Sequence, residues 1–190
     1  MISELTPGFR DPVADAQSCF RAVLDAMARP GQVHQVGGVS APPPLCNAAA
    51  AVLLTLADQE TPLWLDPAAE QARTWIAFHT GAPIVATGRA MFAMALSLPD
   101  ISDFSDGSDE MPETSATIIL QATSLREGRR FVLEGPGLRH PRILAINGLP
   151  MAFDAAWQRN HGLYPRGVDL ILCAGDELTA LPRSVNIREA

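Results

Sequence analysis

Ala48 to Ala57 is apolar on almost every side, broken only by Thr55, and no other stretch of the sequence constrains the fold as much. A helix formed there must be covered on more than one face. Its ten residues make only half a membrane span, so the cover has to be protein, either a layered core or a subunit interface. A chain of 190 residues can supply that cover as one domain, 1–190, because at this size about 70% of the unfolded surface is buried without disulfides or a structural metal.

The elements around this run follow from local signals. Asp11-Pro12 offers an N-cap with proline at the first helical position, and Val13, Phe20, Val23/Leu24 and Met27 recur at helical spacing until Arg29-Pro30-Gly31, which predicts a helix over 12–28. Gln32 to Val39 reads as a weak strand and Pro42-Pro43-Pro44 as a stiff extended connector. The apolar helix then starts near Asn47. Thr61 to Leu65 reads as a strand, Asp66-Pro67 opens a third helix ending near His79-Thr80-Gly81, and Met91 to Ala95 reads as another strand. Thr117 to Ala122 and Arg130 to Leu133 look like a hairpin joined around Glu127-Gly128, and Gly135-Pro136-Gly137 ends its second strand. A strand at Ile143 to Ile146, a helix from Pro150 to Gln158, and a hairpin of Val168 to Cys173 with Leu178 to Leu181 about Gly175-Asp176 complete the pattern. Helices between some strands and hairpins between others predict an α/β fold, a three-layer α/β/α sandwich with a mixed sheet.

Charge and residue types narrow the chemistry. All 14 basic residues are arginine, which removes internal Schiff-base chemistry and the phosphate-loop lysine together, since a guanidinium replaces neither. A net charge of −7 repels a phosphate backbone and an anionic membrane alike, so neither nucleic acid nor membrane is an expected partner. Cys19, Cys46 and Cys173 are odd in number and lack metal spacing; they read as buried thiols in a reducing cytoplasm. The start of the chain, through Pro7, Arg10 and Asp11, has no apolar leader segment. Six carboxylates crowd residues 99–113 with no base among them. That segment reads as a mobile acidic loop; a calcium loop is the alternative, but the glutamate of an EF-hand is missing.

No reactive constellation is complete. His34, His79, His140 and His161 share no metal spacing, no serine sits in a G-x-S-x-G elbow, and Gly135-Pro136-Gly137 lacks both the third glycine and a central N–H of a phosphate cradle. No catalytic residue, metal or cofactor is expected. His79 can satisfy carbonyls at the end of its helix, or can contact phosphate or move a proton. Arg126, Arg129, Arg130, Arg139 and Arg142 outnumber Glu127 and Glu134. This cluster suits a phosphate or carboxylate, and equally suits a hairpin end paired with the acidic loop or with a partner.

The linear pattern carries further. Phe20-Arg21, Ala26-Met27 and Pro30-Gly31; Leu53 to Asp58 running into Thr61 to Leu65; Phe78 to Pro83; Ala116 to Gln121; Leu133 to Gly137; and Pro165 to Leu172 with Leu181-Pro182-Arg183 form ordered blocks over nearly the whole chain. In these blocks the chain resembles the PhnH family, a subunit of the bacterial carbon-phosphorus lyase system that breaks down phosphonates. The stretch between Leu98 and Thr114 has no match in that pattern.

The resemblance implies a fold related to pyridoxal-phosphate transferases but without their cofactor lysine. It also implies a cytoplasmic assembly in which a phosphonate displaces the base of ATP to give a ribose 1-phosphonate 5-triphosphate, with the transfer chemistry in a partner subunit. Arg21, His79, Arg129, Arg130, Arg166, Asp169 and Arg183 are the candidate anion or partner contacts; Asp169 can instead simply hold Arg166 or Arg183. Three readings stay open: an accessory subunit of the carbon-phosphorus lyase core complex, a stand-alone phosphate-binding enzyme using His79 and arginines, and a structural homodimer. A homodimer would use the apolar 48–57 helix as a flat self-complementary face.

Overall fold

The first helix begins as its cap signal requires. The Asp11 carboxylate accepts from the Val13 and Ala14 amides at 3.2 and 3.0 Å, and α1 runs Pro12–Ala28. This computed structural model describes residues 6–190; the first five residues, part of the stretch read above for a leader segment, lie outside the described residues. Along the chain follow β1 (His34–Gln35), α2 (Asn47–Leu56), β2 (Leu63–Leu65), α3 (Arg73–Thr80), β3 (Phe92–Ala95), β4 (Thr117–Gln121), β5 (Ser124–Glu134), β6 (Arg142–Asn147), α4 (Phe153–His161), β7 (Asp169–Ala174), β8 (Glu177–Leu181) and β9 (Asn186–Glu189).

Among the described residues nine strands divide into two sheets. The larger has the order β1-β8-β7-β4-β3-β2, and the smaller β6-β5-β9. In the larger sheet β2, β3, β4 and β7 are parallel while β8 is antiparallel to β7 and to β1, a mixed sheet as expected. Strand parity sorts the core. Met94, Ile119, Ile171, Cys173 and Ala180 point to one face, against Cys19, Val23 and Ala26 of α1, Val52 and Leu53 of α2, and Trp75 and Ile76 of α3. Ala93, Ala95, Ile118, Leu120, Leu170 and Leu172 point to the other, against Phe131, Leu133, Leu144 and Ile146 of the small sheet and Phe153 and Trp157 of α4. The chain is thus mixed α/β with helices on one face, but its other outer layer is a three-stranded sheet plus one helix rather than helices alone.

Two expectations need correction. β4 and β5 do not form a hairpin: β4 pairs on both edges, with β3 and β7, so it has no free edge for β5. Glu127-Gly128 sits instead in an irregularity of the β5–β6 ladder, where the register shifts between Ser124 and Arg129, as an isolated glycine inside a strand often signals. The 48–57 helix is also not a free face. Ala48 to Leu53 are fully buried within this single chain, so α1, α3 and the sheet already cover what a second copy was expected to cover.

Smaller differences follow from packing. The third helix begins as a 3₁₀ segment, Pro67–Ala72, and ends where Gly81 takes the left-handed conformation, φ 70°, which a glycine reaches without strain. The weak strand over 32–39 shrinks to His34–Gln35. The proline connector is not uniformly extended: it turns at Pro43-Pro44, where the Leu45 amide donates to the Pro42 carbonyl at 3.0 Å.

Candidate partner-binding surface

Three of the sequence-selected residues converge on the acidic loop. Asp169 starts β7 and is buried. Its carboxylate accepts from the Arg183 backbone amide at 2.7 Å and from the Arg183 Nε and Nη2 at 3.1 and 2.5 Å. A half-buried guanidinium held this way is fixed in direction. Its remaining arm, Nη1, donates to the Pro112 carbonyl at 2.6 Å, so Arg183 clamps the end of the loop. Arg166 takes the middle, with Asp106 and Asp109 each at 3.6 Å, and the Gly167 amide donates to the Asp106 carbonyl at 2.8 Å.

The loop is therefore not simply solvated, as its composition suggested. Ile101 and Phe104 are buried in the core, Phe104 edge-on to Trp64 with ring centroids 5.4 Å apart. Apolar residues buried every few positions, plus the two arginine ties, give it a defined surface. Between this loop and α4 lies a half-open cavity of about 290 Å³ lined by Ile101, Phe104, Ala156, Leu163 and Val168, with Asp100, Asp106 and Arg159 at its polar edge. Next to it Tyr164 and Pro112 share a second recess with Asp169 and Arg183. Among the described residues no three His, Cys, Asp or Glu side chains gather as a metal set.

The other candidates lie elsewhere. His79 Nε2 stands 3.1 Å from the Thr6 carbonyl, which also accepts from Trp75 Nε1 at 2.9 Å, and the imidazole packs against Trp75 and Phe78. It thus pins the segment before α1 onto α3, not the terminal carbonyls of its own helix. Arg21 is exposed on α1.

The arginine cluster is dispersed, and none of its members meets the acidic loop. Arg126 pairs with Glu177 at 2.7 Å. Arg129 bridges Asp154 at 2.9 Å and Glu189 at 3.1 Å and lies over the Phe131 ring; the hydrogen bond it gives Glu189 holds that carboxyl below its ordinary range. Arg142 donates to the Arg29 and Pro30 carbonyls. Arg130 is exposed on the rim of a shallow groove with Ile143. Sequence reasoning placed the charges but not their partners, because Glu177 and Glu189 lie 51 and 60 residues away in the chain. It also missed Phe104 and Leu163, which only a folded chain sets opposite each other.

The ordered blocks have their counterpart in comparisons with known proteins. A family model described as "Bacterial phosphonate metabolism protein (PhnH)" matches residues 7–188. The chain belongs to the PhnH family. It is 39% identical over 186 residues to the alpha-D-ribose 1-methylphosphonate 5-triphosphate synthase subunit PhnH of Rhizobium meliloti (strain 1021), covering 94% of this chain and 93% of that protein. A shorter match, 39% over 85 residues and 43% of the chain, is to a putative C-P lyase subunit protein HtxG of Stutzerimonas stutzeri. The PhnH match spans the acidic loop, α4 and the Asp169–Arg183 pair alike.

Proposed function

We propose that this PhnH-family chain is an accessory, non-catalytic subunit of a cytoplasmic carbon-phosphorus lyase core complex. It supports displacement of the base of ATP by a phosphonate, giving a ribose 1-phosphonate 5-triphosphate, with other subunits of that complex as its partners. The observation that carries this reading is the near end-to-end match to a protein named as a synthase subunit. Side-chain use agrees with it: Asp169, Arg183, Arg166 and Arg129 spend their charges on internal ties, and His79 is engaged with Thr6. The likeness in shape to pyridoxal-phosphate transferases belongs to the same reading. Among the described residues no helix is long and apolar enough to cross a membrane.

Copurification with the candidate partners, followed by an assay of triphosphate product, tests it. A stable complex whose activity needs this chain is the expected result. Full activity of the partners alone, or turnover by this chain alone, overturns it.

When isolated, the chain pairs with a second copy. An exposed apolar stripe on α1 favours this: Val13, Phe20 and Leu24 are 81%, 45% and 53% exposed, and their spacing of seven and four residues puts them on one helical face.

A further inference from the structure

The cavity between the acidic loop and α4 combines two properties seldom found together on a free surface. Ile101, Phe104, Ala156, Leu163 and Val168 give it an apolar wall, and Leu163 on its rim is 38% exposed. Its polar edge carries Asp100 and Asp106 beside Arg159, on a loop with six carboxylates and no base of its own, tied at Asp106 and Asp109 by Arg166 and at Pro112 by Arg183. Asp103, Asp109 and Glu110 are exposed on the same loop.

We propose that this cavity docks a basic segment of another protein, with one apolar anchor side chain of that segment filling the space between Phe104, Ile101 and Leu163. About 290 Å³ is at the small end of the roughly 300–1,000 Å³ usual for small-molecule sites and matches one inserted aromatic or large aliphatic residue, the common anchor of an interface. Charge decides the flanks, since a partner bringing arginine or lysine beside the anchor meets carboxylates on the rim while an acidic one is repelled. The surface is built in advance. Arg166 and Arg183 hold the loop at Asp106, Asp109 and Pro112, so little ordering remains for binding to oppose. The inference rests on the subunit reading for the identity of the partner, though not for the chemistry of the surface.

The test uses the isolated full-length chain and a labelled ten-residue synthetic peptide carrying arginines on both sides of one phenylalanine. Two control peptides replace the phenylalanine with alanine or the arginines with glutamate. The arginine-phenylalanine peptide should bind at least about tenfold more tightly than either control, a difference of roughly 1.4 kcal/mol, and should weaken as salt rises. Leu163→Glu should abolish the preference. So should the pair Asp103→Arg and Glu110→Arg, whose exposed side chains leave the core untouched; an unchanged circular dichroism spectrum establishes that each variant is folded. Equal binding of all three peptides, or folded variants that bind like the parent, overturns the proposal. Copurification with partner subunits separates the two readings. If the parent assembles and folded Leu163→Glu assembles equally well, the docking surface is wrong and the subunit role stands; if the parent itself fails to assemble, the subunit role falls and the peptide titration still decides the surface.

Discussion

At the scale of single residues, burial governs what the titratable groups do. His34 lies on β1 with Asp25 Oδ2 3.4 Å away, which alone would favour its charged form. Burial and then the Arg29 guanidinium outweigh that carboxylate, which is itself paired with Arg29, and pull His34 below its ordinary 6.5. A histidine with a lowered folded value binds protons less readily than the unfolded chain does. Its contribution to stability is therefore complete above about pH 6.5 and is lost as the pH falls through the window between the unfolded and folded values. Urea midpoints at pH 7.5 and 5.5 should show a larger loss on acidification for the parent than for His34→Gln; equal losses would remove His34 from the account. The thiols behave alike. Burial raises all three cysteines above their ordinary range, Cys173 the most, and the thiolate is the reactive form. A thiol reagent at pH 8 should label half-buried Cys46 first and Cys19 and Cys173 only after denaturant is added, as read by mass spectrometry. Burial of Cys173 was legible in the apolar run Leu170 to Cys173. The Arg183 clamp on Pro112 was not, because nothing local links positions 71 residues apart.

At the scale of elements, capped and periodic segments were legible and pairings were not. Asp11-Pro12 and Asp66-Pro67 placed two starts correctly because a cap acts within one turn. The β5 strand misled because a bulge and a turn share the same glycine signal, and choosing between them needs the partner strand. β9 went unread because four residues, Asn186–Glu189, gain strand character only by pairing with β5. The turn between β5 and β6 shows how tightly these elements are set. Gly137 has φ 83°, and a Cβ there would lie 2.2 Å from the Ala28 carbonyl oxygen at the end of α1. Gly137→Ala should destabilise the chain by about 2 kcal/mol or more, since strained backbone alone costs on the order of 1–3 kcal/mol and the clash adds to it. Gly37→Ala, where a Cβ meets nothing within 4 Å, is the control. Equal urea midpoints for the two variants would show that the turn yields freely.

At the scale of the whole molecule, the surface question moves from α2 to α1. The sequence offered α2 as the flat apolar face, but burial of Ala48 to Leu53 within one chain removes it. The periodicity of α1 concealed two stripes in one pattern. Cys19, Val23 and Ala26 form the buried one, while Val13, Phe20 and Leu24 form a second, turned about 100° because each step of one residue rotates the helix by that amount. A 17-residue helix is about 25 Å long, enough for two antiparallel copies to pack along it. Three side chains alone fall short of the roughly 1,200 Å² that a stable interface buries, so neighbouring surface, including Arg21 beside Leu24, must join the contact, and the pairing should be of modest affinity. Sedimentation at about micromolar concentration, a common range for interfaces of this kind, should therefore show dimer for the parent and monomer for Phe20→Glu with Leu24→Glu. The same double variant should keep the peptide binding of the α4 cavity, since the two surfaces belong to different layers of the fold. A parent that stays monomeric throughout that range would leave the stripe without a self-pairing role.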